Sequence, residues 1–199
     1  MSSTSHDLHG NAPDKAATAL LLIDVINDLE FDEGAALLAA ALPMADKIAA
    51  LKTRCQQAGI PVIYVNDNFG RWQSNFNAQV EHVLHDGVRG EPIAKRLLPG
   101  ESDYFVLKPK HSGFFSTQLD LLLDYLEVRT VIVTGIAGNI CVLFTASDAY
   151  LRDYKIIVPS DCVVSNTAAE NDAALQLMAK ILKADTRHSE ALEVSQLLT

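Results

Sequence analysis

The sequence predicts a three-layer α/β sandwich, in which helices cover both faces of a central sheet. Two observations predict it: short apolar runs recur along the chain, and segments with helical periodicity lie between them. The apolar runs are continuous, which is typical of strands that are buried on both faces. Strands that alternate with helices in this way run parallel and are joined by right-handed crossovers.

Five apolar runs are the predicted strands. Each is followed or preceded by polar or turn-forming residues, as where Pro61 opens the second run. The five runs are Ala19–Ile23, Val62–Val65, Tyr104–Leu107, Val131–Val133 and Ile156–Val158.

Three segments are predicted to be helical. In the first, Pro43–Gln57, the proline stands near the start and Gly59 lies just beyond the end. The other two carry apolar residues at i, i+3, i+4 and i+7, so that each helix has one apolar stripe that can cover the sheet. These residues are Leu119, Leu122, Leu123 and Leu126 in one helix, and Ala174, Leu177, Met178 and Ile181 in the other.

Length and composition favour one domain. The chain has 199 residues, 49% of them apolar, and its composition shows no internal break, so we expect a single domain over residues 18–199. Residues 1–17 are polar and lack the apolar centre of a signal sequence, so they are predicted to form a flexible tail. No later run approaches the roughly 18 apolar residues that span a bilayer, and we expect a soluble protein.

Charge and cysteine content indicate which binding partners and which cellular compartment to expect. The net charge of -9, with no basic patch, argues against a nucleic acid as a partner. The three cysteines are widely spaced and form neither a C-x-x-C pair nor a disulfide scaffold, so a reducing cytoplasm is expected. We expect a small-molecule substrate and neither a nucleic-acid nor a membrane partner.

Three chemically complementary residues follow predicted strands. Asp24 follows the first strand, Lys108 follows the third, and Cys141 follows the fourth after a turn of small residues. In an open α/β sheet the ligand crevice lies beyond the carboxyl ends of the strands, so we expect these side chains to meet there. An acid, a cation and a thiol together indicate nucleophilic catalysis.

The turn before Cys141 predicts a helix that starts at the thiol. Unpaired N–H groups and the positive end of the helix dipole favour a thiolate over a thiol. We therefore expect Cys141 to be primed as a nucleophile. Cys55 and Cys162 are assigned no role.

Three motifs resemble the isochorismatase-like cysteine hydrolase superfamily, which includes nicotinamidases and N-carbamoylsarcosine amidohydrolases. They are Leu22–Asp28, Lys108–Thr117 and Gly135–Val142, and the resemblance covers nearly the whole chain after the tail. It implies a Rossmann-like, mostly parallel sheet of six strands in the order 3-2-1-4-5-6. It also implies that Asp24, Lys108 and Cys141 form a catalytic triad, with no cofactor.

The resemblance further implies a cis peptide bond between Ile136 and Ala137. That bond would turn the Ala137 N–H toward the Cys141 N–H, and the two donors would form an oxyanion hole. The family usually has threonine where this chain has Gly138, so this turn departs from the family pattern.

The metal site of nicotinamidases is not expected here. Those relatives use an Asp-x-His pair plus a further histidine, whereas this chain has Asp67 followed two residues later by Phe69, which cannot bind a metal. His82 and His85 could share one helix face, but two histidines are a weak signal and exposure to solvent is the more common outcome. We predict no required metal, and nicotinamide is disfavoured as the main substrate.

Five residues are candidates for substrate binding because they follow strand ends or belong to the motifs. The segments 31–42 and 69–100 are expected to form loops, the second with a short helix, that shape the pocket. The aromatic candidates could equally be core or interface residues. The candidates are Asn27, Phe31, Asn68, Trp72 and Phe115.

The sequence therefore predicts a cysteine hydrolase that cleaves a C–N bond of a small amide, carbamoyl or ureido compound. One alternative is an isochorismatase-type vinyl-ether hydrolase, against which the presence of Cys141 argues. Another is a binding protein that has kept the fold without catalysis. A nucleotide-dependent oxidoreductase is disfavoured because no G-x-G-x-x-G follows the first strand. The resemblance also implies a homo-oligomer, a dimer or a tetramer.

Overall fold

The computed structural model describes residues 15–70 and 75–198. Strands and helices alternate along the chain, as the hydrophobic pattern predicts, and each predicted strand lies within or overlaps an observed one. The strands are β1 (Thr18–Ile23), β2 (Val62–Asp67), β3 (Tyr104–Lys108), β4 (Thr130–Ile136), β5 (Lys155–Ile157) and β6 (Val163–Val164). The helices are α1 (Gly34–Gln57), α2 (Phe76–His85), α3 (Glu91–Arg96), α4 (Leu119–Tyr125), α5 (Leu143–Tyr150) and α6 (Ala168–Ile181).

The sheet has six parallel strands, which confirms the predicted α/β class. Five strands follow the order β3-β2-β1-β4-β5, but β6 pairs with β4 instead of extending the sheet beyond β5. The last position of the predicted order 3-2-1-4-5-6 is therefore wrong. The short β5 covers only Thr130–Ile132 of β4, so the end of β4 at Gly135 and Ile136 is left for β6.

Two apolar cores lie on the two faces of the sheet. Along β1, Leu20 and Leu22 belong to the core under α1, whereas Leu21 and Ile23 belong to the core under α4, α5 and α6. All six residues of β1 are buried, as expected for a central strand that helices cover on both sides.

Helix α1 begins nine residues before the predicted start, at Gly34, and Pro43 lies inside it. The segment predicted as a loop over residues 31–42 is therefore mostly helix. It is rich in alanine and leucine, the strongest helix formers, and their preference outweighs the hydrogen bond that a proline removes. By length and composition α1 could cross a membrane, but its buried residues, among them Ile48 and Leu51, pack in the core of this fold.

The predicted stripe on α4 is confirmed, since Leu119, Leu123 and Leu126 are buried and Leu122 is partly buried against the same core. On α6 the predicted stripe is correct for two residues and wrong for two. Ala174 and Met178 are buried, whereas Leu177 is 46% exposed and Ile181 is 55% exposed. The buried face of α6 is narrower than a full amphipathic stripe, so these two apolar side chains face solvent.

Two further segments differ from the expectation. The described part of the segment 69–100, which lacks residues 71–74, contains two helices, α2 and α3, instead of one. At the amino terminus, the Ala16 N–H donates to the carbonyl of Leu126, and the carbonyl of Ala17 accepts from Arg129, so these two residues belong to the fold. The rest of the predicted tail, residues 1–14, lies outside the described residues.

Candidate active site

Three neighbouring strands end in charged residues at one edge of the sheet. Asp24 directly follows β1, Asp67 is the last residue of β2, and Lys108 is the last residue of β3. Because the strands are parallel, their carboxyl ends lie side by side, and these side chains meet there.

The Lys108 ammonium lies between the Asp24 carboxylate and the Cys141 thiol. Its Nζ is 2.8 Å from Asp24 Oδ2 and 3.5 Å from Cys141 Sγ. Asp67 Oδ2 is 3.7 Å from the same nitrogen. The side chain of Lys108 is fully buried and that of Asp24 is 7% exposed, so their charges interact with little screening by water.

The backbone of Asp24 takes a left-handed conformation, with φ of 51°. Aspartate tolerates this region better than most residues, but the conformation still costs energy and is kept only where the surroundings fix it. Here the Asp67 N–H donates to Asp24 Oδ1 at 2.7 Å, and the Asp24 N–H donates to the carbonyl of Val65 at 3.0 Å. The first bond holds the carboxylate of Asp24 and the second holds its backbone.

Gly135 is required where β4 passes the end of β1. Its φ is +111°, and a Cβ at this position would lie 2.1 Å from the carbonyl oxygen of Ile23. Only glycine allows the two backbones to approach this closely beside Asp24.

The thiol lies on a turn between β4 and α5. The peptide bond between Ile136 and Ala137 is cis, and Ala137 is extended. The chain then forms a π-helical turn over Gly138–Val142, here named the Cys141 turn, which continues directly into α5. The Ala137 carbonyl accepts from the N–H groups of Ile140 and Val142, which fixes the start of the turn.

The surroundings of Cys141 oppose the expected thiolate, because they raise the pKa of its thiol. Burial raises its pKa to about 12, and the negative charge of Asp24 adds to this, while Lys108 acts in the opposite direction. Loss of hydration and a neighbouring carboxylate both disfavour the thiolate, whereas the charge of Lys108 favours it. A base must take the thiol proton before the sulfur can attack.

Asp24 is a base within hydrogen-bonding reach of the Cys141 thiol. Burial raises the pKa of its carboxyl group, although the neighbouring Lys108 acts to lower it, and a raised pKa makes a carboxylate a better proton acceptor. Burial by itself would lower the pKa of Lys108, but the charge of Asp24, together with that of Cys141 when the thiol is ionised, outweighs burial and raises it. Lys108 therefore stays charged beside the other two groups.

His111 is a member of the site that the sequence analysis did not single out. Its Nδ1 lies 3.8 Å from Cys141 Sγ, and its ring packs against Phe144 with ring centres 5.6 Å apart. Its loop is held on α5, since the Gly113 N–H donates to Thr145 Oγ1 at 3.0 Å. His111 lies three residues after Lys108 within the second motif, and this position could have identified it from the sequence.

The candidate substrate-binding residues lie in different environments. Asn27 accepts a hydrogen bond from the Leu29 N–H and so shapes its own loop. Phe31 is 42% exposed and Phe115 is 54% exposed. Trp72 lies outside the described residues.

Asn68 is buried and lines a cavity of about 240 Å³ beside Asp67. Gln79 also lines this cavity, and its Nε2 donates to the Asp67 carbonyl at 3.0 Å. The lining of the cavity is polar and apolar in about equal parts, and the cavity adjoins the residues at the end of β2. Its lining residues are Asp28, Asn68, Phe69, Asn75, Ala78, Gln79 and His82.

The residues near Asp67 do not fit a metal ion. The phenyl ring of Phe69 has no ligand atom, and Asp67 Oδ1 accepts from the Phe69 N–H at 2.7 Å. His82 Nδ1 is 2.6 Å from Asp86, so its imidazole is already paired with a carboxylate. Within residues 15–70 and 75–198, no group of three or more His, Cys, Asp or Glu side chains could hold a metal.

The fold and the site together define an α/β protein in which a thiol, a carboxylate and an ammonium meet at the carboxyl edge of a parallel sheet. The isochorismatase domain family matches residues 18–189 of the chain. This chain therefore belongs to the isochorismatase family of hydrolases.

The chain is also similar to individual proteins of this family. The uncharacterized isochorismatase family protein YaaI of Bacillus subtilis (strain 168) is 43% identical over 178 residues, which cover 89% of this chain and 97% of that protein. The ureidoacrylate amidohydrolase RutB of Yersinia enterocolitica is 30% identical, over 73% of this chain and 74% of that protein. Among solved structures, N-carbamoylsarcosine amidase from Thermoplasma acidophilum superposes with a TM-score of 0.69 and 25% identity, over 88% of this chain and 98% of that one.

Proposed function

We propose that this protein is a cysteine amidohydrolase that cleaves a C–N bond of a small amide, carbamoyl or ureido compound. The observation that carries the proposal is the position of the Lys108 ammonium, 2.8 Å from Asp24 and 3.5 Å from the thiol of Cys141. The names of two relatives, a ureidoacrylate amidohydrolase and an N-carbamoylsarcosine amidase, support the same bond type and small substrates.

In the first half of the proposed reaction, Asp24 takes the proton of the Cys141 thiol as the sulfur attacks the carbonyl carbon. A C–S bond forms, and the carbonyl oxygen becomes an oxyanion that the N–H groups of Ala137 and Cys141 stabilise. When the C–N bond breaks, Asp24 returns the proton to the nitrogen, and the amine or ammonia leaves. The acyl group remains on the sulfur as a thioester.

In the second half, a water molecule attacks the thioester while Asp24 accepts its proton. The C–S bond breaks, the acid product leaves, and the proton returns to the sulfur, so that the thiol is restored. Lys108 stays positively charged throughout and balances the negative charge, which moves between Asp24 and Cys141. The reaction needs no metal and no cofactor.

The test is a panel of small amides, N-carbamoyl amino acids and ureido acids, with ammonia release measured for the wild-type protein and for Cys141→Ala. We expect at least one compound of the panel to be hydrolysed by the wild type alone. Inactivity of the wild type on the whole panel would favour a binding protein that has kept the fold.

We also propose that the protein is a cytoplasmic homo-oligomer, a dimer or a tetramer. The family resemblance supports self-association, and four exposed apolar side chains on or next to the outer helices α5 and α6 are candidates for the interface. Light scattering of the purified protein tests this, and the mass of a single chain would contradict it. The four are Phe144 (52% exposed), Leu151 (75%), Leu177 (46%) and Ile181 (55%).

A further inference from the structure

The first residue of the Cys141 turn has no room for a side chain. Gly138 is buried, and a Cβ built on it would lie 2.4 Å from Asn171 Oδ1 and 3.0 Å from Ser165 Oγ. Atoms do not approach a Cβ as closely as 2.4 Å, so the Asn171 amide occupies the space that a side chain at position 138 would need. The turn and α6 fit each other through this contact.

A chain of hydrogen bonds joins the Cys141 turn to β6 and α6. The Asn139 N–H donates to Ser165 Oγ at 3.0 Å, and the Ser165 hydroxyl donates to Asn171 Oδ1 at 3.0 Å. Asn171 Nδ2 in turn donates to the carbonyl of Val163, the first residue of β6, at 3.3 Å. Ser165 is only 1% exposed, so water does not replace these partners easily.

We propose that Ser165 and Asn171 are positioning residues, which hold the Cys141 turn so that the sulfur and the adjacent backbone N–H groups face the substrate carbonyl. Neither side chain contacts the sulfur in the hydrogen bonds described, and both act through the backbone of Asn139. The expected change in turnover rests on the proposed amidohydrolase function, whereas the expected change in the reactivity of the Cys141 thiol does not.

Removing either side chain loosens the turn. In Ser165→Ala, the Asn139 N–H loses its acceptor and Asn171 Oδ1 loses its donor. A shift of the nucleophile by about 1 Å costs on the order of 100-fold in rate, so we expect kcat to fall between about 10-fold and 100-fold with little change in KM. The thiol becomes more hydrated, and because burial raises its pKa, alkylation of Cys141 becomes faster.

Thr167→Ala is the matched control. Thr167 lies between Ser165 and Asn171 in sequence and caps α6, since its hydroxyl accepts from the Glu170 N–H at 3.2 Å. Its loss lowers the melting temperature without removing a hydrogen bond of the Cys141 turn. We expect Thr167→Ala to keep the wild-type kcat and the wild-type alkylation rate at 25 °C.

The experiment compares Ser165→Ala, Asn171→Ala and Thr167→Ala by melting temperature, by kcat and KM on an active compound of the panel, and by the rate of Cys141 alkylation with iodoacetamide at pH 8. Lower kcat together with faster alkylation in the first two variants alone supports the proposal. Wild-type kcat and alkylation in these two, or a change that follows the melting temperature in all three, would overturn it.

A compensating pair gives a second test. Gly138→Ala places a methyl group against Asn171, so it should lower the melting temperature, and adding Asn171→Ala should lower the melting temperature less on the Gly138→Ala background than on the wild type, because it also removes the clash. Equal effects of Asn171→Ala on the two backgrounds would count against the fit. If the wild type hydrolyses no compound of the panel, the proposed function fails, while the alkylation rates still decide this inference.

Discussion

Two buried lysine–aspartate pairs lie at opposite ends of β3. Lys52 and Asp103 meet near its amino end, and Lys108 and Asp24 meet at its carboxyl end. The nitrogen–oxygen distances, 2.6 Å and 2.8 Å, are nearly equal, and none of the four side chains is more than 10% exposed. By geometry and burial alone the two pairs could not be told apart.

The pair at the amino end is closed, which here means that every proton of its ammonium group has an acceptor within the protein. Besides Asp103, the Lys52 ammonium donates to the Tyr64 hydroxyl at 2.8 Å and to the Leu98 carbonyl at 2.7 Å, so its three protons have three oxygen acceptors. Asp103 also accepts from the Gly100 N–H at 2.7 Å. This pair ties α1 to the start of β3.

The pair at the carboxyl end instead contacts a reactive group. The second close contact of Lys108 is the sulfur of Cys141, at 3.5 Å, and sulfur is a weak acceptor. A buried ion pair therefore does not by itself indicate a catalytic site. The chemistry depends on what else the lysine contacts.

The largest expected effect comes from removing the sulfur. Cys141→Ala should lower kcat by about 10⁴-fold or more, because no thioester can form. The measurement is ammonia release on an active compound of the panel. Cys55→Ala, on α1 near Lys52, removes a buried thiol from the closed end and is the matched control, which should keep the wild-type kcat. Equal activity of Cys141→Ala and wild type would refute the proposed mechanism.

The next effect separates the two aspartates. Asp24→Asn removes the proposed base and should lower kcat by about 10³-fold, within the range known for acid–base groups. Asp103→Asn should leave kcat unchanged but lower the free energy of unfolding by about 3 kcal/mol, because the Lys52 charge stays buried without its partner. Steady-state kinetics and urea unfolding of both variants check this. A comparable loss of kcat in Asp24→Asn and Asp103→Asn would contradict the assignment of different roles to the two aspartates.

A smaller effect tests the structural role of the closed pair. Lys52→Met should lower the free energy of unfolding by about 3 kcal/mol, since Asp103 is then left charged and buried, with kcat unchanged. Lys47→Met is the control on the same helix, because the Lys47–Glu190 pair is exposed, and it should change stability little. Urea unfolding at pH 7 gives both values. Equal stability of Lys52→Met and Lys47→Met would contradict the assignment.

The smallest effect concerns pH. With the pKa of Cys141 at about 12, above its usual value, the wild-type alkylation rate should rise about tenfold per pH unit from pH 7 to 9. Asp24→Asn removes a charge that raises this pKa, so alkylation at pH 8 should become about 10-fold faster while turnover falls. Peptide mass spectrometry of Cys141 with iodoacetamide measures the rates, and Asp103→Asn should match the wild type. A plateau below pH 9 in the wild type would show a thiol that is already ionised.

Much of the fold could be predicted because hydrophobic patterning decides it. The buried runs on β1 and β2 reveal strands that are covered on both sides, and parallel strands bring Asp24 and Lys108 to one edge. The position of β6 could not be predicted, because it depends on the short length of β5. Pro43 suggested the start of a helix, but the alanine-rich segment before it extends α1.

The site was predicted in part, for a similar reason. The three motif residues end or follow strands, so sequence position locates them, whereas the raised pKa of Cys141 depends on burial, which the local sequence does not show. The Lys52–Asp103 pair joins residues far apart in sequence, and a lysine on a helix is usually solvated. The contact between Gly138 and Asn171 likewise exists only once α6 packs on the turn.

The complete burial of Lys108 has a practical consequence for anyone who labels or immobilises this protein. Amine-directed reagents need a free, accessible amine, and the side chain of Lys108 has no exposed surface. The exposed amines of Lys15 and Lys47 lie in water and offer attachment points outside the site. The folded protein can therefore be coupled to a dye or a resin through surface lysines while the ammonium beside Cys141 stays unmodified.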